Sequence, residues 1–280
     1  MNIQRKPEWL RKKVNPGDQS EMRQLLGELR LNTVCQQALC PNISECFACG
    51  QATFLILGKN CTRLCSFCNV EKTPPLPVDS DEPARVAEAV ARLKLSHVVI
   101  TSPTRDDLPD GGAEIYAATV AAIRGSSPAT RIELLIPDFQ GAVPSLESVV
   151  RSSPDIIAHN VETVPRLYGI RNGADYRRSL DVLRTCAEMV PDIRTKSGIM
   201  LGMGEQEDEI LHVFRDLRGV GCAYLSIGQY LAPSRRHYPV QEYVPPERFE
   251  SLRFQAVGMG FSHVESGPYV RSSYHAGKYA

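Results

Sequence analysis

The sequence predicts an α/β domain built on a parallel sheet, and three observations carry that expectation. From about residue 53 onward, short apolar runs alternate with stretches of helical period. The runs show no polar alternation, as expected of strands buried on both faces. Six or seven β-then-α units follow one another, and right-handed crossovers then leave a barrel, whole or partial, or a doubly wound sheet.

The elements follow in order. Thr53 to Leu57 is a compact apolar run that ends at Gly58. Asp79-Ser-Asp-Glu-Pro83 is a helix-start signal, after which Val86, Val90 and Leu93 share one helical face. His97 to Thr101 is a strand. A helix with Ile115, Thr119 and Ala122 follows and stops at Gly125. Ile132 to Ile136 and Asp155 to His159 are the next strands. Tyr176, Leu180, Leu183 and Ala187 mark a long helix before a strand starting near Ile193. Ile210, Phe214 and Leu217 mark another, ended by Gly219 and Gly221, before the strand Tyr224 to Ile227. Phe249, Leu252 and Ala256 form a last stripe ahead of Ser262 to Glu265. In either architecture functional residues gather at the C-terminal ends of the strands. The loops after the first two strands, Gly58 to Cys68 and Ser102 to Gly112, are therefore the expected seat of chemistry.

Length and charge narrow the class. The 280 residues suffice to bury a large core, and 32 basic residues cancel 32 acidic ones. That balance leaves no electrostatic footprint for nucleic acid. No apolar run approaches a membrane span. Arg5, Lys6, Arg11, Lys12 and Lys13 make the N-terminus basic, but Glu8 and Pro16 stand where a secretory leader needs an apolar run. The number of free thiols points to a reducing cytoplasm.

Six of the nine cysteines form two triplets before residue 70: Cys35, Cys40 and Cys46, then Cys61, Cys65 and Cys68. Their spacings are C-x4-C-x5-C and C-x3-C-x2-C. Thiolates select iron–sulfur clusters, zinc or copper(I). A four-iron cluster ordinarily takes four cysteines, so each triplet is one ligand short, and an iron left open can bind a small molecule. Zinc is the alternative, but structural zinc sites pair one C-x2-4-C with a second pair, and no second C-x2-C lies downstream. A disulfide framework belongs to short secreted chains. Cys49, Cys186 and Cys222 read as small apolar residues, buried or half-buried.

At these residues the chain resembles the radical S-adenosylmethionine enzymes, whose signature is C-x3-C-x2-C after the first strand of a β/α barrel. Within that superfamily it resembles the lipoyl synthase family. Lys6 to Arg11, the upstream triplet, Ala52 to Gly58, Arg105 to Ala113, Asn160 to Val164, Lys196 to Gly202 and Val270 to Ala276 carry the likeness over nearly the whole chain. The resemblance implies a partial parallel (β/α)6 barrel at residues 51–265, an N-terminal extension at 1–50 and a C-terminal tail at 266–280. It implies that Cys61, Cys65 and Cys68 hold a 4Fe–4S cluster whose open iron takes S-adenosylmethionine and cleaves it to a 5′-deoxyadenosyl radical. Gly111, Gly112, Asn160 and Glu162 would contact that co-substrate, the glycines through closely approaching backbone, and Phe67 would pack on its adenine. Cys35, Cys40 and Cys46 would hold a second 4Fe–4S cluster with Ser273 as fourth ligand, requiring the tail to fold back across the barrel mouth. That cluster would give sulfur to C6 and C8 of a protein-bound octanoyl chain.

The partners implied are octanoylated lipoyl-acceptor domains (H protein, or E2 subunits of 2-oxoacid dehydrogenases), an electron donor such as ferredoxin or flavodoxin, and a cluster-repair carrier. A non-catalytic carrier with two clusters is the rival of another class. It has no use for a chain of this length and supplies all-cysteine ligation.

Overall fold

The computed structural model describes residues 5–12 and 20–279; Lys13 and Pro16 of the basic N-terminal stretch lie outside them. Eight strands form one sheet in chain order: β1 (Asn32–Thr33), β2 (Thr53–Leu55), β3 (His97–Thr101), β4 (Arg131–Leu135), β5 (Ile156–Ala158), β6 (Arg194–Leu201), β7 (Tyr224–Gln229) and β8 (His263–Gly267). From β2 to β8 every neighbouring pair is parallel. Six helices make the crossovers: α4 (Glu82–Arg92), α5 (Ala113–Ser126), α6 (Val143–Arg151), α7 (Tyr176–Met189), α8 (Glu207–Gly219) and α9 (Pro246–Gly258). The result is six β/α units closed by a seventh parallel strand. No pairing joins β8 to β2 among the described residues, so the barrel is partial, as the resemblance implied.

Alternation along the strands explains both faces of the sheet. Val98, Ile100, Ile132, Leu134 and Ile157 pack outward with residues of α4 to α7 in one apolar cluster. Ile199, Leu201, Leu225, Ile227 and Val264 do the same with α8 and α9. The residues between them face the interior, and several are polar. Glu133 on β4 and Lys196 on β6 meet at 2.9 Å although their strands are not neighbours, which only the concave side permits.

The region ahead of β2 carries elements of its own: α1 (Ser20–Glu28), α2 (Val34–Gln37) and α3 (Ile43–Ala48) lie there. β1 pairs antiparallel with β2, Thr33 opposite Phe54, so it covers the open edge of the barrel. Helix α6 was not expected. Its Leu146, Val149 and Val150 form a buried stripe, but the stripe is short, and Pro144 in its first turn reads equally as loop.

The tail docks under the barrel. Tyr279 is 1% exposed, its ring 3.7 Å from Lys196 Nζ and 4.7 Å from the His263 ring. It shares a buried cluster with Ile156 and Tyr224, residues at the N-terminal ends of β5 and β7. No helix among the described residues is long and apolar enough to cross a membrane.

Candidate active site

The loop of Cys61, Cys65 and Cys68 follows β2 and is held by the loops after four other strands. The Thr62 N–H donates to the Thr104 carbonyl at 3.0 Å, that of Ser66 to Ile170 at 2.9 Å, and that of Tyr238 to Ser66 at 2.9 Å. Arg63 donates to Asp106 at 2.8 Å and to Asp138, on the loop after β4, at 2.6 and 2.9 Å. Asp138 is 2% exposed; burial acts to raise its pKa, but the bonds and charge of Arg63 hold the carboxyl below its usual range. Buried Arg105 binds Asp107 and donates to the carbonyls of Leu57 and Leu76, 3.1 Å each. The segment Arg105 to Ala113 is thus the scaffold of the cysteine loop. Sequence reasoning missed Arg63 and Asp138, which nothing in local pattern pairs across 75 positions.

Gly111 and Gly112 close that scaffold. Their φ values are +64° and +91°. A Cβ on Gly112 would stand 2.3 Å from Leu57 Cδ1, and one on Gly111 would stand 2.8 Å from Phe139 Cδ1. Their N–H groups already bond within the turn, to Asp110 Oδ1 at 2.9 Å and to the Leu108 carbonyl at 3.0 Å. Glycine is required here by backbone shape and packing, and with both N–H groups bonded in the turn, any backbone contact to a ligand falls to the carbonyls. Phe67 is half-buried inside the cysteine loop.

Cys35, Cys40, Cys46 and Ser273 line one cavity of about 210 Å³, with Thr53, His97, Arg271 and Tyr274 also in its wall. Thr53 and His97 open β2 and β3, so this set lies at the N-terminal ends of the strands. The tail therefore does not stop across the mouth, as had been expected, but turns inward after β8, past Gly228 and Asn160, and carries Ser273 through the interior to the opposite end. The cause is β1, which sets Cys35 beside the start of β2. Thr53 Oγ1 donates to Ser273 Oγ at 2.7 Å, and Thr53 also bonds the Cys35 thiol. Asn42 Nδ2 donates to the Tyr269 carbonyl at 2.7 Å and Tyr274 Oη to Glu45 at 3.1 Å, fixing tail to extension.

Polar groups join the two ends. Asn160 Nδ2 donates to Ser272 Oγ at 2.6 Å and to Glu162 Oε1 at 3.0 Å. Glu162 acts electrostatically on Cys65 and Cys68. It stands at φ +64°, a left-handed conformation that a non-glycine residue holds only when its surroundings dictate it. Burial pushes its pKa up, with Arg171 and Asn160 opposing. Gly198 makes room for Asn160, since a Cβ there would lie 2.8 Å from Asn160 Oδ1.

These residues fit a metal cluster and a polar co-substrate. Burial pushes the Cys46 and Cys68 thiols up to about 12 and raises those of Cys35 and Cys65; a bound metal reverses that by favouring thiolate. Among the described residues no three His, Cys, Asp or Glu side chains converge on the point a single metal ion needs, whereas a four-iron core is broader than one ion. Asn160 Oδ1 and His159 Nε2 are buried without a hydrogen-bond partner, and such atoms ask for a ligand's donors. His159 was passed over in the sequence because it stands alone, without a motif. Cys186 and Cys222 are buried as expected, but Cys49 is exposed, since it caps the C-terminus of α3 at the cavity rim.

Residues 55–217 match the family model of the radical S-adenosylmethionine superfamily. Solved structures agree on the fold. Streptococcus suis SuiB bound to precursor peptide SuiA superposes with a TM-score of 0.61 at 10% identity, covering 95% of this chain and 58% of that one. Methylornithine synthase gives 0.57 at 12%, covering 91% and 82%. The chain is thus a member of the radical S-adenosylmethionine superfamily.

Curated relatives narrow the assignment. Lipoyl synthase of Trichlorobacter lovleyi is 68% identical, covering 100% of both chains. That of Geobacter metallireducens is 69% identical, covering 100% of this chain and 99% of the relative. The chain belongs to the lipoyl synthase family. It is a radical S-adenosylmethionine sulfurtransferase, working with S-adenosylmethionine and two 4Fe–4S clusters.

Proposed function

We propose that this enzyme inserts two sulfur atoms, at C6 and C8, into an octanoyl-lysine group carried on a lipoyl-acceptor domain. Cys61, Cys65 and Cys68 hold the cluster that binds S-adenosylmethionine, and Cys35, Cys40, Cys46 and Ser273 hold the cluster that gives up sulfur. The observation that supports this most is the pair of cysteine sets at opposite ends of one interior, with Ser273 in the wall of the second. A carbon of an acyl chain held between them would lose its hydrogen atom towards one set and take sulfur from the other.

When bound, the clusters and S-adenosylmethionine supply the electron, the hydrogen abstraction and the sulfur; the chain's residues position and shield. Asn160 and Glu162 would present an amide oxygen and a carboxylate to the co-substrate, His159 a ring nitrogen. Gly111 and Gly112 shape the wall without donating to it, and Phe67 offers its ring to adenine. Thr53 steadies Ser273, whose hard oxygen would be a weaker and more easily released partner for iron than thiolate. Tail and extension together exclude water.

On this reading residues 1–50, 51–265 and 266–280 are extension, barrel and tail. The acceptor is H protein or an E2 subunit of a 2-oxoacid dehydrogenase, the reductant a ferredoxin or flavodoxin. A carrier rebuilds the sacrificed cluster, and the setting is the cytoplasm. Anaerobically loaded enzyme given S-adenosylmethionine, reductant and an octanoyl-lysine peptide should yield peptide with two added sulfurs by mass. Cleavage of S-adenosylmethionine with no sulfur in the peptide would overturn the assignment.

A further inference from the structure

Arg271 is a cation of the lower cavity that meets no acid among the described residues. It is half-buried and lines the cavity beside Cys35, Cys40, Cys46 and Ser273. Among the described residues the one hydrogen bond of its guanidinium goes to the adjoining Val270 carbonyl, at 2.6 Å. The chargeable groups acting on it are Cys40 and Tyr269, not a carboxylate. Strand β7 makes space for it: a Cβ on Gly228 would stand 2.1 Å from the Val270 carbonyl oxygen and 3.3 Å from Arg271 Nη1. A charge withdrawn from water without a partner is costly, yet the fold clears backbone to hold this one in place. What the cavity lacks is an anion.

The cysteine set supplies it. Three thiolates and a serine oxygen around a four-iron core leave a net negative charge, which grows on reduction. We propose that Arg271 is the fixed counter-cation of the cluster held by Cys35, Cys40, Cys46 and Ser273, a positioning residue that stabilises its reduced state and slows its loss. This rests on the ligand set proposed above. The guanidinium is no ligand, because it keeps its protons. Its effect is electrostatic, and cluster potentials respond to nearby charge and to hydrogen bonds at sulfur.

The test uses full-length protein with Cys61, Cys65 and Cys68 all changed to alanine, so that one cluster remains. Iron content, reduction potential by monitored titration, and the rate of iron loss to a chelator are compared with Arg271→Gln and Arg271→Lys added. Removing the positive charge should shift the potential of Arg271→Gln to a more negative value and speed iron loss several-fold. Arg271→Lys should restore both in large part, which a merely structural role would not require. Equal potentials in all three proteins would overturn the inference while leaving the ligand set standing. A parent protein that binds no iron would instead overturn the ligand set, and this inference with it.

Discussion

Ser272 and Ser273 are neighbours in the chain, yet their hydroxyls serve different ends of the interior, one bonded to Asn160 and the other to Thr53. Ser273→Cys should keep iron near about eight per chain, because thiolate is the better iron ligand, but should suppress lipoyl product because the cluster no longer opens. Ser272→Ala removes one neutral hydrogen bond worth about 1 kcal/mol and leaves Asn160 its bond to Glu162. Product formation should fall less than about tenfold. Iron and product measured side by side decide it, and a fully active Ser273→Cys enzyme rules out the ligand role. Arg63 matters in another way, through the loop it pins. Arg63→Met strips the buried Asp138 of its main partner, and such a break costs about 3 kcal/mol, Arg178 remaining 3.1 Å away. Urea unfolding should show that loss, and Arg63→Met with Asp138→Leu should recover most of it. A loss below about 1 kcal/mol would mean the pair is dispensable.

The C-terminal tail is the element whose placement departs furthest from expectation, and Tyr279 is its anchor. Contacts with Lys196, Tyr224 and His263 hold the ring under the barrel. The Ser273 hydroxyl sits six positions earlier on the same segment. Tyr279→Ala should release the tail locally, since a terminal segment frays before the core opens. Amide exchange over residues 269–278 should rise, and iron should leave the upstream set faster than from Cys61, Cys65 and Cys68. Unchanged exchange would show that Tyr269 and Tyr274 suffice to hold the tail. The sequence made the barrel elements legible because each carries its own period, apolar runs for β3, β4 and β7 and stripes for α4, α8 and α9. It showed both triplets because thiol spacing is local. It did not show α6, whose stripe is short, nor to which end of the barrel the tail carries Ser273. That depends on β1 pairing with β2 and on Tyr279 meeting Lys196, contacts between distant segments that no local pattern encodes.

At the scale of the molecule, the interior's polarity makes stability depend on pH. His159 is fully buried, its Nδ1 2.9 Å from the Ile136 carbonyl. Burial, with the positive charge of Arg171, pushes its pKa from 6.5 down to about 4. The unfolded chain therefore binds a proton that the folded chain refuses between these values, so the unfolded state gains as pH falls. The penalty is absent above about pH 6.5, grows by about 1.4 kcal/mol per pH unit below it, and levels off near pH 4. It totals about 3 kcal/mol, a large share of a typical domain's stability. Asp138, held low by Arg63, acts only further down, where its carboxyl takes up a proton in the unfolded state first. The two groups thus occupy separate windows. His159→Asn keeps an N–H to donate to the Ile136 carbonyl but has nothing to titrate. Urea midpoints of the two cluster-loaded proteins at about pH 7 and about pH 5.5 should show the wild type losing about 1.4 kcal/mol more than the variant. Equal losses would mean that His159 keeps an ordinary pKa in the folded enzyme, and that the interior beside Asn160 is wetter than its burial implies.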